Sequence, residues 1–269
     1  MLAFDFMRKA LVASVLACAV APLVGVFVVQ RQQSLVGDGI GHIAFAGVGL
    51  AFMLGVQPLA GALALVLVGA VALHRLRRSG LSGDLALAMV FYGGVAIGFA
   101  LVSKSGTGVN SVLGFLFGSA LNLTWGQVGA IAALSAAVVA IVWTLYGPLT
   151  AIAFDEAAAR VGGVPTDGLV LTLTVVVGLV VVGGMYTLGL LLIAAMMVLP
   201  VAAAAQLARS YRGTMLLASG IGASSAAVGL LVAYYADQAV SSSILLVAIG
   251  CYALAGFVRS MRRRGRATA

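Results

Sequence analysis

The sequence predicts an all-α, polytopic transmembrane helical bundle, and three observations carry that prediction. The chain of 269 residues is 63% hydrophobic and only 8% charged, with a mean hydropathy of +1.19. Soluble domains sit nearer half apolar and a quarter charged. Its charges are separated by apolar runs of roughly 20 residues, the length that crosses a bilayer as a helix. It also holds 35 glycines, and small residues let helix backbones approach closely in lipid, where no hydrophobic force drives one helix onto another. A transmembrane β-barrel would instead show short segments of alternating polarity. Residues 1–269 read as a single membrane domain, with no room for a large soluble one.

Charge-free runs place the spans in order. Residues 10–30 form the first and 39–56 the second, with Gln57-Pro58 as a break. Residues 58–74 form the third, ending in "HRLRRSG", and 85–103 the fourth. The uncharged stretch after Lys104 is interrupted by Gly, Asn and Ser in "SGTGVNSVLGFLFGSALNLTWG". It predicts a half-helix or re-entrant piece over 110–121, then a span over 125–146. Residues 168–208 would make one helix roughly 60 Å long, too long for a single crossing, so Gly183-Gly184 is expected to turn the chain. Residues 214–236 and 241–258 complete about nine spans, with roughly eight to ten as the range. Pro200, inside one of them, has no N–H to donate and is expected to kink its helix.

The net charge of +8 and pI of about 10.1 do not signal nucleic acid. The basic residues are scattered between apolar segments with no aromatic interleaving, as topology determinants are. If about nine spans alternate, Arg31, the Arg75/Arg77/Arg78 cluster, Arg160, Arg209/Arg212 and the basic tail 259–269 share one side, expected to be cytoplasmic. The N-terminus then lies outside, with Arg8 and Lys9 against the rule, unless a further crossing brings it inside. Cys18 and Cys251 both sit in apolar segments without metal or redox spacing, and read as small core residues.

One loop differs from the rest. "AFDEAAARVGGVPTDG", within the loop 153–167 and its edges, carries most of the mid-chain charge. Asp155 can cap a short helix, "EAAAR" favours helix, Gly162-Gly163 stops it and Pro165 prevents its continuation. A short amphipathic helix or a polar linker both fit this pattern. No phosphate-binding glycine loop, H-E-x-x-H or G-x-S-x-G motif occurs, so ATP hydrolysis by this chain is not expected.

The candidate chemistry lies in "SLVGDGIGHIAFAGVG". Asp38 and His42 stand four apart, on one face of a helix, and offer a carboxylate and an imidazole, which suits Zn²⁺ or Mn²⁺. Two ligands are too few for a closed structural site and suit one that an ion enters and leaves. Ionisable residues inside a span are costly and mark pathways. The alternative is structural, with Asp38 capping its helix and His42 bonded to a neighbouring carbonyl. His74 reads as an interfacial residue, Asp237 as a solvated loop carboxylate and Met196-Met197 as core.

These residues resemble a family. "SLVGDGIGHIAFAGVGLAF" is similar to the signature of zinc/manganese-type ABC importer permeases, and "GGVAIGFALVS", "FLFGSALNLTWGQV", "FDEAAARVGGVP", "GLLLIAAMMVLPVAAA" and "VAYYADQAVSSSILLV" come after it in the family's order, over about residues 8–258. The resemblance implies a type II ABC importer-like fold in the plasma or inner membrane. It implies a permease for zinc or manganese, or for iron, as transported substrate, with no permanently bound cofactor. Its partners would be cytoplasmic ABC ATPase subunits, an external metal-binding protein and a second permease subunit, equal or different. Asp38 and His42 then match the positions that contact the metal in transit. Phe154, Asp155, Glu156, Arg160, Gly162, Val164 and Pro165 match the loop that docks on the ATPase. The chain departs from the pattern at Gly39, Gly41, Ile43 and Ala46, where the family has Ala, Ser, Ala and Pro, and at Glu156-Ala157, where it has Pro-Glu. Two alternatives stand beside this reading: a permease for metal chelates of the siderophore or cobalamin class, which shares the docking loop but needs neither Asp38 nor His42, and a stand-alone secondary metal transporter, against which the scarcity of buried charge beyond Asp38 counts.

Overall fold

A computed structural model describes residues 4–106 and 114–267. Long helices dominate, and no strand occurs among the described residues. Helices α1 (Asp5–Gln30), α2 (Val36–Leu54), α3 (Pro58–Arg78) and α4 (Gly83–Lys104) come first. Next come α5 (Trp125–Thr144), the short α6 (Tyr146–Phe154) and α7 (Glu156–Val161), and α8 (Thr166–Gly184). The chain closes with α9 (Leu190–Leu207), α10 (Tyr211–Ala236) and α11 (Val240–Ala267). Among the described residues, 9 helices are long and apolar enough to cross a membrane, as the charge-free runs predict.

The starts of these helices obey local chemistry. Pro58 opens α3, where its missing N–H costs nothing. Ser82 caps α4 by accepting from the Leu85 amide. Thr124 and Gln127 form a reciprocal capping box at α5, the pairing that satisfies two free donors at once. Ser210 caps α10 through the Gly213 amide.

Helices α1, α2, α8 and α9 hold the centre, and the outer helices wrap them. Contact between central helices runs through glycine. A Cβ at Gly25 of α1 would overlap the Met197 carbonyl of α9, one at Gly47 of α2 would overlap the Gly61 carbonyl of α3, and one at Gly222 of α10 would overlap the Cys18 carbonyl of α1. Backbone therefore touches backbone at these crossings, the packing expected where van der Waals contact alone draws helices together. Met196 and Met197 are fully buried, Cys18 is buried and Cys251 partly so, all as core residues.

Two expectations need correction. The turn after α8 is not at Gly183-Gly184: the helix runs through both, and the missing side chain at Gly184 leaves room for Ile193 of α9. The chain turns instead at residues 185–189, where Gly189 takes φ +82, a left-handed conformation that glycine adopts freely. The span expected over 125–146 ends at Thr144, and Tyr146 starts α6 at a break. The half-helix expected over 110–121 lies partly outside the described residues. Its described part, helical over 114–117, sits against the α8–α9 turn, where the Ser119 amide donates to the Tyr186 carbonyl at 3.1 Å. Ser241 Oγ, at the start of α11, donates to the Phe117 carbonyl at 2.7 Å.

The ends of the bundle sort the charges. Arg31, Arg77, Arg78, Arg160 and Asp167 meet at one end through ion pairs and hydrogen bonds. The N-terminus lies at the other, where Lys9 pairs with Asp5 and stands 5.6 Å over the Trp125 ring at the start of α5. No further crossing brings it back among the described residues.

Candidate functional site

Helix α2 begins two residues before the first candidate residue. Its N-cap is Leu35, with no side-chain cap, so Asp38 does not cap it. Asp38 stands at the third helical position and His42 one turn further into the bundle, and both side chains are half-buried. The His42 ring meets Phe91 of α4 edge-on, with centroids 4.3 Å apart at 71°. Helix α4 comes this close because of Gly94: a Cβ there would lie 2.8 Å from the His42 carbonyl carbon. Among the described residues, neither the Asp38 carboxylate nor the His42 imidazole has a hydrogen-bond or ion-pair partner. The structural alternative, a cap and a carbonyl bond, is therefore not realised.

An unpartnered carboxylate and imidazole on one face of a central helix are costly inside a bilayer. They have free lone pairs to offer a passing cation. No group of three or more His, Cys, Asp or Glu that could hold a metal occurs among the described residues. His74 is half-buried near the end of α3. Asp237 is exposed, with φ +51 just after α10.

The loop between α6 and α8 folds as its sequence dictates. Asp155 Oδ1 accepts from the Ala158 amide at 2.9 Å and starts α7. The amide of Gly163, at φ +80, donates to the Arg160 carbonyl, and that of Val164 to the Ala159 carbonyl. This is the double bond of a left-handed helix stop. Phe154 and Val161 are 61% and 91% exposed, with Gly162 and Pro165 exposed beside them and Val164 half-buried. Phe154 keeps a ring contact with Tyr211 at 5.3 Å. The short helix thus presents an exposed apolar edge at the arginine end.

Glu156 and Arg160 face a charge network. Glu156 Oε2 accepts from Arg31 Nη2 at 2.6 Å, and Oε1 from Arg160 Nη2 at 3.3 Å. Arg160 Nε donates to Thr166 Oγ1 at 3.1 Å and its Nη2 to Asp167 at 3.4 Å. Asp167 also pairs with Arg78 at 3.7 Å. The place of Arg31 in this network has no signal in the sequence. A lone arginine after an apolar run looks like a topology determinant, and its partner is 125 residues away. Pro200 is buried inside α9, which runs through it to Leu207. With no N–H at that position, the Met196 carbonyl lacks its helical donor.

A bundle of this topology, with an unpartnered acid–imidazole pair inside it and a capped helix exposed between two spans, is the architecture of a transport permease. A model of the ABC 3 transport family matches residues 3–259, and the chain belongs to that family, the integral membrane subunits of metal ABC transporters. The manganese import system permease protein ScaB of Streptococcus parasanguinis is 30% identical over 98% of this chain and 94% of its own length. The manganese transport system membrane protein MntC of Halalkalibacterium halodurans is 30% identical over 96% of this chain and 88% of its own. Among solved structures, PsaBC from Streptococcus pneumoniae in complex with Fab has a TM-score of 0.85 at 30% identity, covering 94% of this chain and 91% of that one. The chain is a multi-pass protein of the plasma membrane, and its relatives are permease subunits, the transport components of such systems.

Proposed function

We propose that this chain forms the translocation path of an ATP-driven importer of a divalent transition metal, with manganese the first candidate and zinc and iron as alternatives. The observation that carries this reading is the Asp38–His42 pair on one face of α2, without hydrogen-bond or ion-pair partners among the described residues. The relatives named for manganese import give the cargo its order of preference. Manganese favours oxygen donors and accepts imidazole, and one carboxylate with one imidazole offers both. The metal is substrate here and passes through. A site with few ligands from each chain lets it leave again.

The same reading sets the rest of the assembly. The arginine end faces the cytoplasm. There the α7 segment, with Phe154, Asp155, Glu156, Arg160, Gly162, Val164 and Pro165, docks on a separate ATPase subunit that this chain's lack of a nucleotide loop requires. An external metal-binding protein delivers the ion at the opposite end, and a second permease subunit completes the path. Pro200 bends α9 at the missing hydrogen bond.

Uptake of manganese, zinc and iron, offered separately to cells that express this chain with its neighbouring ATPase and binding protein, tests the reading. Asp38→Ala and His42→Ala should each abolish uptake of one metal, while the chain still inserts and still co-purifies with the ATPase. Undiminished uptake in both variants overturns the transit site and favours a chelate permease, whose wider path needs neither side chain.

A further inference from the structure

Arg31 follows the last residue of α1 as its C-cap and is enclosed, its side chain only 8% exposed. Its guanidinium bridges two elements. Nη1 donates to the Ile152 carbonyl in α6 at 3.0 Å, and Nη2 to Glu156 at the first position of α7 at 2.6 Å. Its buried Nε has no partner in the protein. The planar fork of an arginine fixes direction as well as distance, so α6 and α7 are pinned to the end of α1 at a set angle.

The turn after Arg31 is stiff. The Gln32 amide donates to the Val29 carbonyl and the Gln33 amide to the Val28 carbonyl. This is the same double stop that ends α7, except that the left-handed position, at φ +55, is filled by Gln32 rather than glycine. A non-glycine residue held there costs free energy and persists only where its surroundings over-determine it. Gln33 Oε1 accepts from Arg77 Nη1 at 3.3 Å, tying the end of α3 to the same turn. Val36 then starts α2, and Asp38 lies in its first turn. Between the α7 segment and the acid–imidazole pair there is one ion pair and one braced turn, with no flexible linker.

We propose that Arg31 is a positioning residue that transmits movement of the α7 segment to the first turn of α2, and so to the placement of Asp38. The inference rests on the importer reading above and deepens it. When the docked segment moves, Glu156 and the Ile152 carbonyl carry Arg31 with them, and the braced turn swings α2.

The test uses the whole complex of this chain, its ATPase and its external binding protein, reconstituted in liposomes. The readout is the ratio of ATP hydrolysis with and without manganese-loaded binding protein. A structural role would change yield or assembly but not this ratio. In Arg31→Lys, which keeps the charge but loses the fork, the ratio should fall about tenfold, the scale of one charge-assisted hydrogen bond. Glu156→Gln, on the more exposed partner, keeps an acceptor oxygen for Arg31 but removes the counter-charge, and should give the same fall. The double variant should fall no further than either single one, because both remove one link. An unchanged ratio in an intact complex overturns the proposal. So does loss of the ATPase subunit on purification, which makes the pair a dock and not a relay. A wild-type complex stimulated by none of manganese, zinc or iron overturns the importer reading itself, and this inference with it.

Discussion

At the arginine end of the bundle, Arg31, Arg78 and Arg160 alternate with Glu156 and Asp167 across the ends of α1, α3 and α8 and the short α7. At the opposite end the segment before α5 is held to the α8–α9 turn by neutral groups. The Ser119 amide bonds the Tyr186 carbonyl, Ser241 Oγ bonds the Phe117 carbonyl, and Gly118 and Gly189 lie so close that neither has room for a Cβ. One end is fastened by charges that water and salt can weaken, the other by backbone in contact with backbone. An end that must move with a partner needs contacts that can be traded for water at small cost. Backbone packed on backbone, as at the opposite end, offers no such exchange.

The largest expected effect strikes the neutral end. Gly189→Val places a branched side chain at φ +82 against the Leu116 carbonyl, and should cost about 3 kcal/mol or more. It would be seen as lost monodisperse protein in detergent and a lower Tm. A variant of wild-type stability would break the contrast between the two ends. Next is Arg31→Met, which leaves the Ile152 carbonyl without its donor and Glu156 without its close partner. Because Glu156 can still reach water, the cost should be about 2 kcal/mol, read from the same thermal scan. Ser241→Ala removes a hydroxyl that donates to the Phe117 carbonyl and, at longer range, to the Thr187 carbonyl, and should cost about 1 kcal/mol, equally at low and high salt. The smallest effect belongs to Arg78→Ala, whose exposed pair with Asp167 at 3.7 Å should be worth less than about 0.5 kcal/mol. That difference should vanish in high salt. An Arg78 effect larger than that of Ser241 would reverse the ordering.

The spans were legible because exclusion of charge from lipid writes itself into the sequence as long apolar runs. The acid–imidazole pair was legible for the complementary reason: Asp38 and His42 are conspicuous where polar groups are rare. The α7 helix could be read from Asp155, "EAAAR" and the glycine pair, since caps are local chemistry. The hidden features depended on distant neighbours. Gly183-Gly184 looked like a turn, but Gly184 serves the approach of Ile193, and a small residue in a membrane helix signals packing as readily as a break. Gly189, the residue that turns the chain, is a single glycine among many. Arg31 could not be matched to Glu156 from spacing, because only the folded bundle brings the ends of α1 and α6 together.

The glycine crossings set a limit on how such a bundle can change shape. Where Gly25 rests on Met197, and Gly47 on Gly61, backbone meets backbone and the axes cannot come any nearer. Each crossing is a pivot: it fixes a separation and leaves rotation about the point of contact free. A protein hung on such pivots changes shape by tilting rigid helices, small angles at the centre becoming larger displacements at the ends.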